Sequence, residues 1–372
     1  MKKNRTYLPK INHKSLIIML LALCIVWIGC KDDDVKEDNV EWDQSPYTIE
    51  YGSFEAPPIA ADNPLTIQGV KLGRMLFYEK MLSGDGSQAC GSCHLQEFAF
   101  SDTATLSIGI RDKSGKRQAM ATFNMAWNTN EFFWDGRSHL LRDQSLLPIQ
   151  DELEMDETLE NVESKLSSSK TYRDQFKRAF GSEEVTSEKM SKAMEQFMNS
   201  IVSYQSKYDR FLKDSTVFSV QEKRGLQLFM ADYNPFFPNE SGADCAHCHS
   251  SFNFENDLYM NNGLDAEADI KDQGRESVTK DPKDRGAFKV TSLRNIALTA
   301  PYMHDGRFKT LDEVIDHYNN DIKPSSSLDP ALENTREKGL FLDAAKKADL
   351  KAFLQTLTDE ELVKNPAFSD PF

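Results

Sequence analysis

Between residues 187 and 212 the apolar side chains of Met190, Ala193, Met194, Phe197, Ile201, Tyr204, Tyr208 and Phe211 recur at spacings of mostly three and four, which gathers them on one face of a long helix. On such a face the methionines are core packing rather than ligands. Asn63-Pro64 reads as an N-cap with proline in the first turn, opening a helix that continues to Tyr78. Ser219 and Glu222 have the spacing of a capping box, and residues 343–357 form a last amphipathic helix. No stretch sustains an alternation of apolar and polar positions, so few strands are expected. Loops containing Pro and Gly, at 234–244 and 272–288, interrupt the second half. The pattern predicts a mainly α protein.

The first thirty residues stand apart. Lys2, Lys3, Arg5, Lys10 and Lys14 precede the apolar run "SLIIMLLALCIVWIGC", the order of an export signal, and the run is short for a spanning helix. Cleavage before Cys30 would leave a cysteine open to lipidation. The polar "KDDDVKEDN" that follows suits a tether. We expect a lipoprotein-type signal over 1–30 and a linker over 31–45. The protein would then be exported to the periplasm or outer membrane, touching the membrane only through a lipid anchor on Cys30.

A balance of 39% hydrophobic and 28% charged residues is that of a soluble globular chain, and its formal net charge is −15. Loss of the signal removes positive charges only, so the mature surface is more acidic still. Such a surface repels nucleic acid and anionic lipid, and favours a basic redox partner.

Of six cysteines, Cys24 and Cys30 belong to the signal. The others form two C-x-x-C-H motifs, Cys90, Cys93 and His94, then Cys245, Cys248 and His249. This is the attachment signature of c-type haem: the thiols bond to the porphyrin vinyls and the imidazole binds iron. Four thiols could instead hold zinc, but zinc sites rarely set both pairs directly before a histidine. Each motif lies near the start of one half of the mature chain, which suggests two tandem haem domains, 46–212 and 213–372. No cysteine is left for a disulfide. No histidine lies between His94 and His139, so the loop after the first motif cannot supply a second imidazole, and the first iron is expected to keep an open side. An open position implies ligand or oxygen chemistry, a filled one electron transfer.

Three runs then become specific: "LFYEKMLSGDGSQACGSCHLQEFAFSD", "FFWDGR" with "DQSLLPIQDELEM", and "SLRNIALTAPYMHDGRFKTLDEVIDHY". In this order they resemble the bacterial diheme cytochrome c peroxidases and the related MauG enzymes, over nearly all of the chain beyond the linker. The resemblance implies two cytochrome c-like haem domains with two covalently bound haems. The N-terminal haem would react with hydrogen peroxide. The C-terminal haem would take electrons from a small cytochrome c, a cupredoxin or another donor. It implies that Trp134 lies between the haems as a hopping station, that Glu154 is the distal acid, and that Gln144 and Pro148 share its pocket. Peroxide cleavage needs a proton moved from the bound oxygen to the leaving one, and a carboxyl that alternates between base and acid can move it. Desolvation would raise the pKa of such a glutamate and suit it to the task. The family's calcium ion would use backbone oxygens of Thr299 and Pro301, with Gln118 in place of an asparagine. His304 matches a histidine near the second haem and is expected to bond a propionate or backbone; His139 is expected to be structural.

Two departures bear on activity. Many of these peroxidases carry a blocking histidine in the loop before the tryptophan, whereas Ile110 stands there in this chain, which implies readiness for peroxide in the oxidised form. Tyr318 aligns with the distal ligand of the second haem, usually methionine in the peroxidases and tyrosine in MauG; Met303 and His317 are nearby alternatives. The leading expectation is a cytochrome-c peroxidase-type oxidoreductase. The alternatives are a MauG-like oxidase, which uses peroxide to oxidise a protein side chain or organic substrate, and a non-catalytic diheme electron carrier. A homodimer is left open.

Overall fold

The computed structural model describes Met1 and residues 40–372; the expected signal and most of the linker lie outside the described residues. The chain divides into Met1–Val40 and Glu41–Phe372, and every element below belongs to the second unit. Among the described residues no helix is long and apolar enough to cross a membrane.

Helices and long loops make up this unit, and the paired strands among the described residues are Tyr259–Met260 and Phe288–Lys289, antiparallel with Tyr259 opposite Lys289. Two hydrophobic cores form. Leu72, Leu76, Phe77, Phe100, Phe176 and Phe197 are fully buried in the first, and Phe229, Phe353 and Leu357 in the second. Each core rests on a helix pair brought close by a glycine. A methyl group on Gly73 of the Ile67–Tyr78 helix would collide with the Ala193 carbonyl of the Ser187–Ser200 helix. A methyl on Gly225 of the Val220–Met230 helix would likewise meet the Asp349 carbonyl of the Ala344–Gln355 helix. Hydrogen in place of Cβ lets the backbones touch, and the larger neighbouring side chains then close over the contact.

Two expected helix limits are corrected. The first helix is capped by Thr66, whose hydroxyl accepts from Gly69 N at 3.0 Å. Asn63 instead turns its side chain onto the Ser187–Ser200 helix, donating to Lys192 O and Glu195 and accepting from Gln196. The long helix expected over 187–212 is broken into Ser187–Ser200 and Lys207–Leu212. At the break Asp359 accepts the N–H groups of Tyr204 and Gln205 at 2.8 and 2.9 Å, and Ser206 caps the second piece. A buried carboxylate taking backbone donors outcompetes helical bonding there. The capping box of Ser219 and Glu222 forms, with bonds of 3.1 and 2.7 Å.

The chain end crosses between the cores. Leu362 and Phe368 belong to the first core, although they follow the second in sequence. Arg74 donates to Ser369 O at 2.7 Å, Tyr78 to Phe368 O at 2.7 Å, and Gln96 to Leu362 O and Asn365 O.

Candidate active site

Around the first motif, Cys90–Cys93 form one short helical turn that ends at His94. The His94 Nδ1 lies 3.0 Å from the Phe100 carbonyl and 3.3 Å from the Thr122 hydroxyl, leaving Nε2 for another partner. The second motif repeats this: His249 Nδ1 lies 3.0 Å from the Phe254 carbonyl. A ring whose Nδ1–H is held by a carbonyl presents a neutral Nε2, the form that binds a metal. Burial pushes the free Cys90, Cys245 and Cys248 thiols up to about 12 and Cys93 to about 11. Cys90 borders the first core and Cys245 the second, and among the described residues no group of His, Cys, Asp and Glu could hold a metal ion. The zinc alternative is thereby removed, and the donor set fits haem at both places.

A cavity of about 840 Å³ opens from Cys90, Cys93 and His94 and is lined also by Gln144, Pro148, Glu154, Trp134 and Gln118. Gln144 and Pro148 lie one helical turn apart on the Leu141–Gln150 helix, so both face the same way. Proline removes one hydrogen bond from that helix, which ends two residues later. Glu154 follows in a turn, its N–H bonded to Asp151 O at 2.9 Å. Burial raises the Glu154 carboxyl to about 6, with Asp151 adding to the rise and Arg137 opposing it. The loop carrying Ile110 lies against this turn: Ile110 N donates to Glu154 O at 2.9 Å, and Gly109 is pressed against the carbonyls of Leu153 and Glu154.

Trp134 donates from Nε1 to the Gln118 carbonyl at 2.8 Å, and Gln118 N donates to the His304 carbonyl at 2.8 Å. A single residue, Gln118, therefore joins the indole to the second half through its backbone carbonyl and N–H. The His304 ring stacks on Phe288 at 3.6 Å, while its backbone carbonyl accepts from Gln118 N. His139 is exposed.

The turn around Trp134 recurs at His304. Phe132 pairs with Ser138, and Tyr302 with Phe308, across one type of bridge; Phe133 and Met303 have φ of 70° and 73°, Gly136 and Gly306 69° and 64°. Helices then begin at Leu141 and Leu311. Counted from the aspartate of each "DGR", Pro148 and Tyr318 occupy the same position. The second of these helices widens into a π turn over His317–Asp321 that carries Tyr318, a local irregularity often found at functional sites. Tyr318 packs in the second core with Met303, and burial raises its hydroxyl to about 12. His317 Nε2 lies 3.0 Å from the Asn262 carbonyl. Sequence reading missed Asn262, which lies in a loop with no chemical signature. It also missed the repeat, which the two "DGR" triplets could have revealed.

Two attachment sites of one build on a helical frame mark a c-type cytochrome architecture. A family model described as di-haem cytochrome c peroxidase matches residues 67–217. The methylamine utilization protein MauG of Methylophilus methylotrophus is 31% identical over 325 residues, covering 86% of this chain and 91% of that one. Cytochrome c551 peroxidase of Nitrosomonas europaea is 35% identical over 262 residues, 70% of this chain and 75% of its own. Among solved structures, a MauG-like protein associated with microbial copper homeostasis has a TM-score of 0.79 and 32% identity, covering 87% of this chain and 99% of that one. The chain belongs to the di-haem cytochrome c peroxidase family. Membership makes it an oxidoreductase of the cytochrome-c peroxidase type with two c-type haems.

Proposed function

We propose that the first C-x-x-C-H site is the peroxide-reacting centre, that electrons enter through the second, and that Glu154 moves the proton. Hydrogen peroxide, two electrons and two protons yield two waters. The observation carrying this reading is an asymmetry: Pro148 borders an open cavity beside the first motif, whereas Tyr318 stands at the matching position of the second half.

Cys90 and Cys93 would bond the porphyrin and His94 Nε2 its iron. Lys289 lines the same cavity. Its ammonium bonds the neutral oxygens of Asn128, at 2.9 Å, and Asn130. It pairs with no carboxylate within ion-pair distance among the described residues, and burial lowers it to about 8. A buried cation with carboxylates near it but none in direct contact leaves room for a haem carboxylate. A haem held there would supply the redox chemistry of peroxide reduction. The ionised Glu154 would take a proton from one peroxide oxygen and return it to the other as that one leaves; Gln144 would offer an amide to orient the peroxide. Trp134, joined by Gln118 to His304, would pass electrons between the halves. Thr299, Pro301 and Gln118 would offer calcium neutral oxygens only, the set of a weak site.

Low-temperature paramagnetic resonance of the ferric protein tests the assignment. We expect one high-spin signal that changes with peroxide and one low-spin signal that does not. Pro148→Tyr, which copies the second half into the first, is expected to abolish the high-spin signal and weaken cyanide binding by about tenfold or more, roughly 1.4 kcal/mol. Two low-spin centres indifferent to peroxide in the unaltered protein would return the chain to the electron carriers.

With Glu154 near 6 and the base form active, the peroxide reaction should accelerate as pH rises through about 6 and level off above it. Stopped-flow rates that are flat from about pH 5 to 8 would deny Glu154 this part.

Ile110 and Tyr318 together favour a second reading, a MauG-like oxidase acting on a protein side chain or organic substrate. Rapid turnover with reduced cytochrome c would decide for the peroxidase. Export, the lipid anchor on Cys30 and the tether over 31–45 complete the proposal.

A further inference from the structure

Asn262 follows the Tyr259–Met260 strand and touches all three side chains that could cap the second site. Its Nδ2 lies 3.2 Å from the Tyr318 hydroxyl oxygen and 3.5 Å from the Met303 sulfur. Its backbone carbonyl lies 3.0 Å from His317 Nε2. The side-chain group between Tyr318 and Met303 must be the donor, because a thioether sulfur has no hydrogen to give. An amide carries two N–H bonds, enough for both neighbours. His317 is tied to the backbone, so that contact survives any change of side chain at 262. The Tyr318 oxygen accepts from Asn262, and among the described residues it donates no hydrogen bond. A neutral buried phenol needs somewhere to place its proton, and the Asn262 amide N–H offers it none; the contact suits an oxygen whose other partner is the centre held by His249.

We infer that Asn262 is a positioning residue of the second haem site, donating to the Tyr318 oxygen so that this oxygen, and not the Met303 sulfur or His317, is presented to the centre held by His249. The inference rests on the reading of Tyr318 as the second axial ligand. A hydrogen bond to a ligand oxygen draws electron density from it, so the bond weakens its preference for ferric iron and raises the potential of that centre.

The test uses the holoprotein, with haem content, the ferric optical spectrum and the midpoint potential of the second haem as readouts. Asn262→Leu removes the donor: the potential is expected to fall and the tyrosine-to-iron absorption band to move, at unchanged haem content. Asn262→Gln keeps an amide N–H and is expected to recover at least part of both shifts. Tyr318→Phe is the control. If it alters spectrum and potential while Asn262→Leu matches the parent, the inference is overturned and the ligation reading stands. If Tyr318→Phe changes neither, the ligation reading fails and takes the inference with it. Should Asn262→Leu not accumulate, resonance Raman of the unaltered holoprotein prepared in D2O and in H2O decides. A displaced tyrosine C–O vibration supports the donated N–H, and an identical one refutes it.

Discussion

Glu154→Gln slows the reaction of the ferric protein with hydrogen peroxide by about 10²- to 10⁴-fold, the range for loss of a positioned acid–base group. The amide keeps the shape of the side chain but cannot accept the peroxide proton. Cys90, Cys93 and His94 lie on a different segment from Glu154, so haem content and the position of the ferric bands should be unchanged. The pH inflection near 6 should vanish along with the rate. Stopped-flow absorbance at the haem bands measures both. A variant within about threefold of the parent would show that the proton travels by another group.

Arg294→Met lowers the unfolding free energy of the holoprotein by about 3–5 kcal/mol, because it leaves a buried carboxylate without its cation. Arg294 and Asp209 are joined by two hydrogen bonds of 2.9 Å, with side chains only 1% and 4% exposed. Arg294 also donates to the Phe252 carbonyl at 2.9 and 2.6 Å, two residues before the Phe254 carbonyl that holds His249. The same change should therefore loosen the second proximal imidazole as well as the Lys207–Leu212 helix that carries Asp209. Burial alone would raise Asp209, but Arg294 and Ser206 hold it below the usual carboxylate range. A depressed carboxyl contributes stability above its unfolded pKa, about 4, and loses it as pH falls through the lower folded value. The cost of Arg294→Met should accordingly shrink in acid. Denaturant unfolding at neutral and acid pH reads both effects. A loss below about 1 kcal/mol at neutral pH would mean that water reaches the pair.

Local chemistry made the attachment sites legible, since Cys and His at fixed spacing have few other uses, and the carbonyl contacts of His94 and His249 follow from short loops. Glu154 was legible only through resemblance: "DELEMDE" offers five acids, and what distinguishes Glu154 is burial beside a cavity assembled from distant segments. The helix from Ser187 was read correctly to Ser200 and then overrun, because the competitor at 204–205 is Asp359, far away in sequence. Asn63 looked like a cap, but tertiary partners on the facing helix claimed its side chain. Long-range polar partners override local propensity in each case.

The crossing of the last residues onto the first core sets a limit on modularity. Leu362 and Phe368 finish the apolar enclosure around the Ile67–Tyr78 helix, so a piece cut at residue 212 would expose the hydrophobic surface they cover. A chimera between relatives must therefore keep this tail with the half it packs on, not with the half it follows.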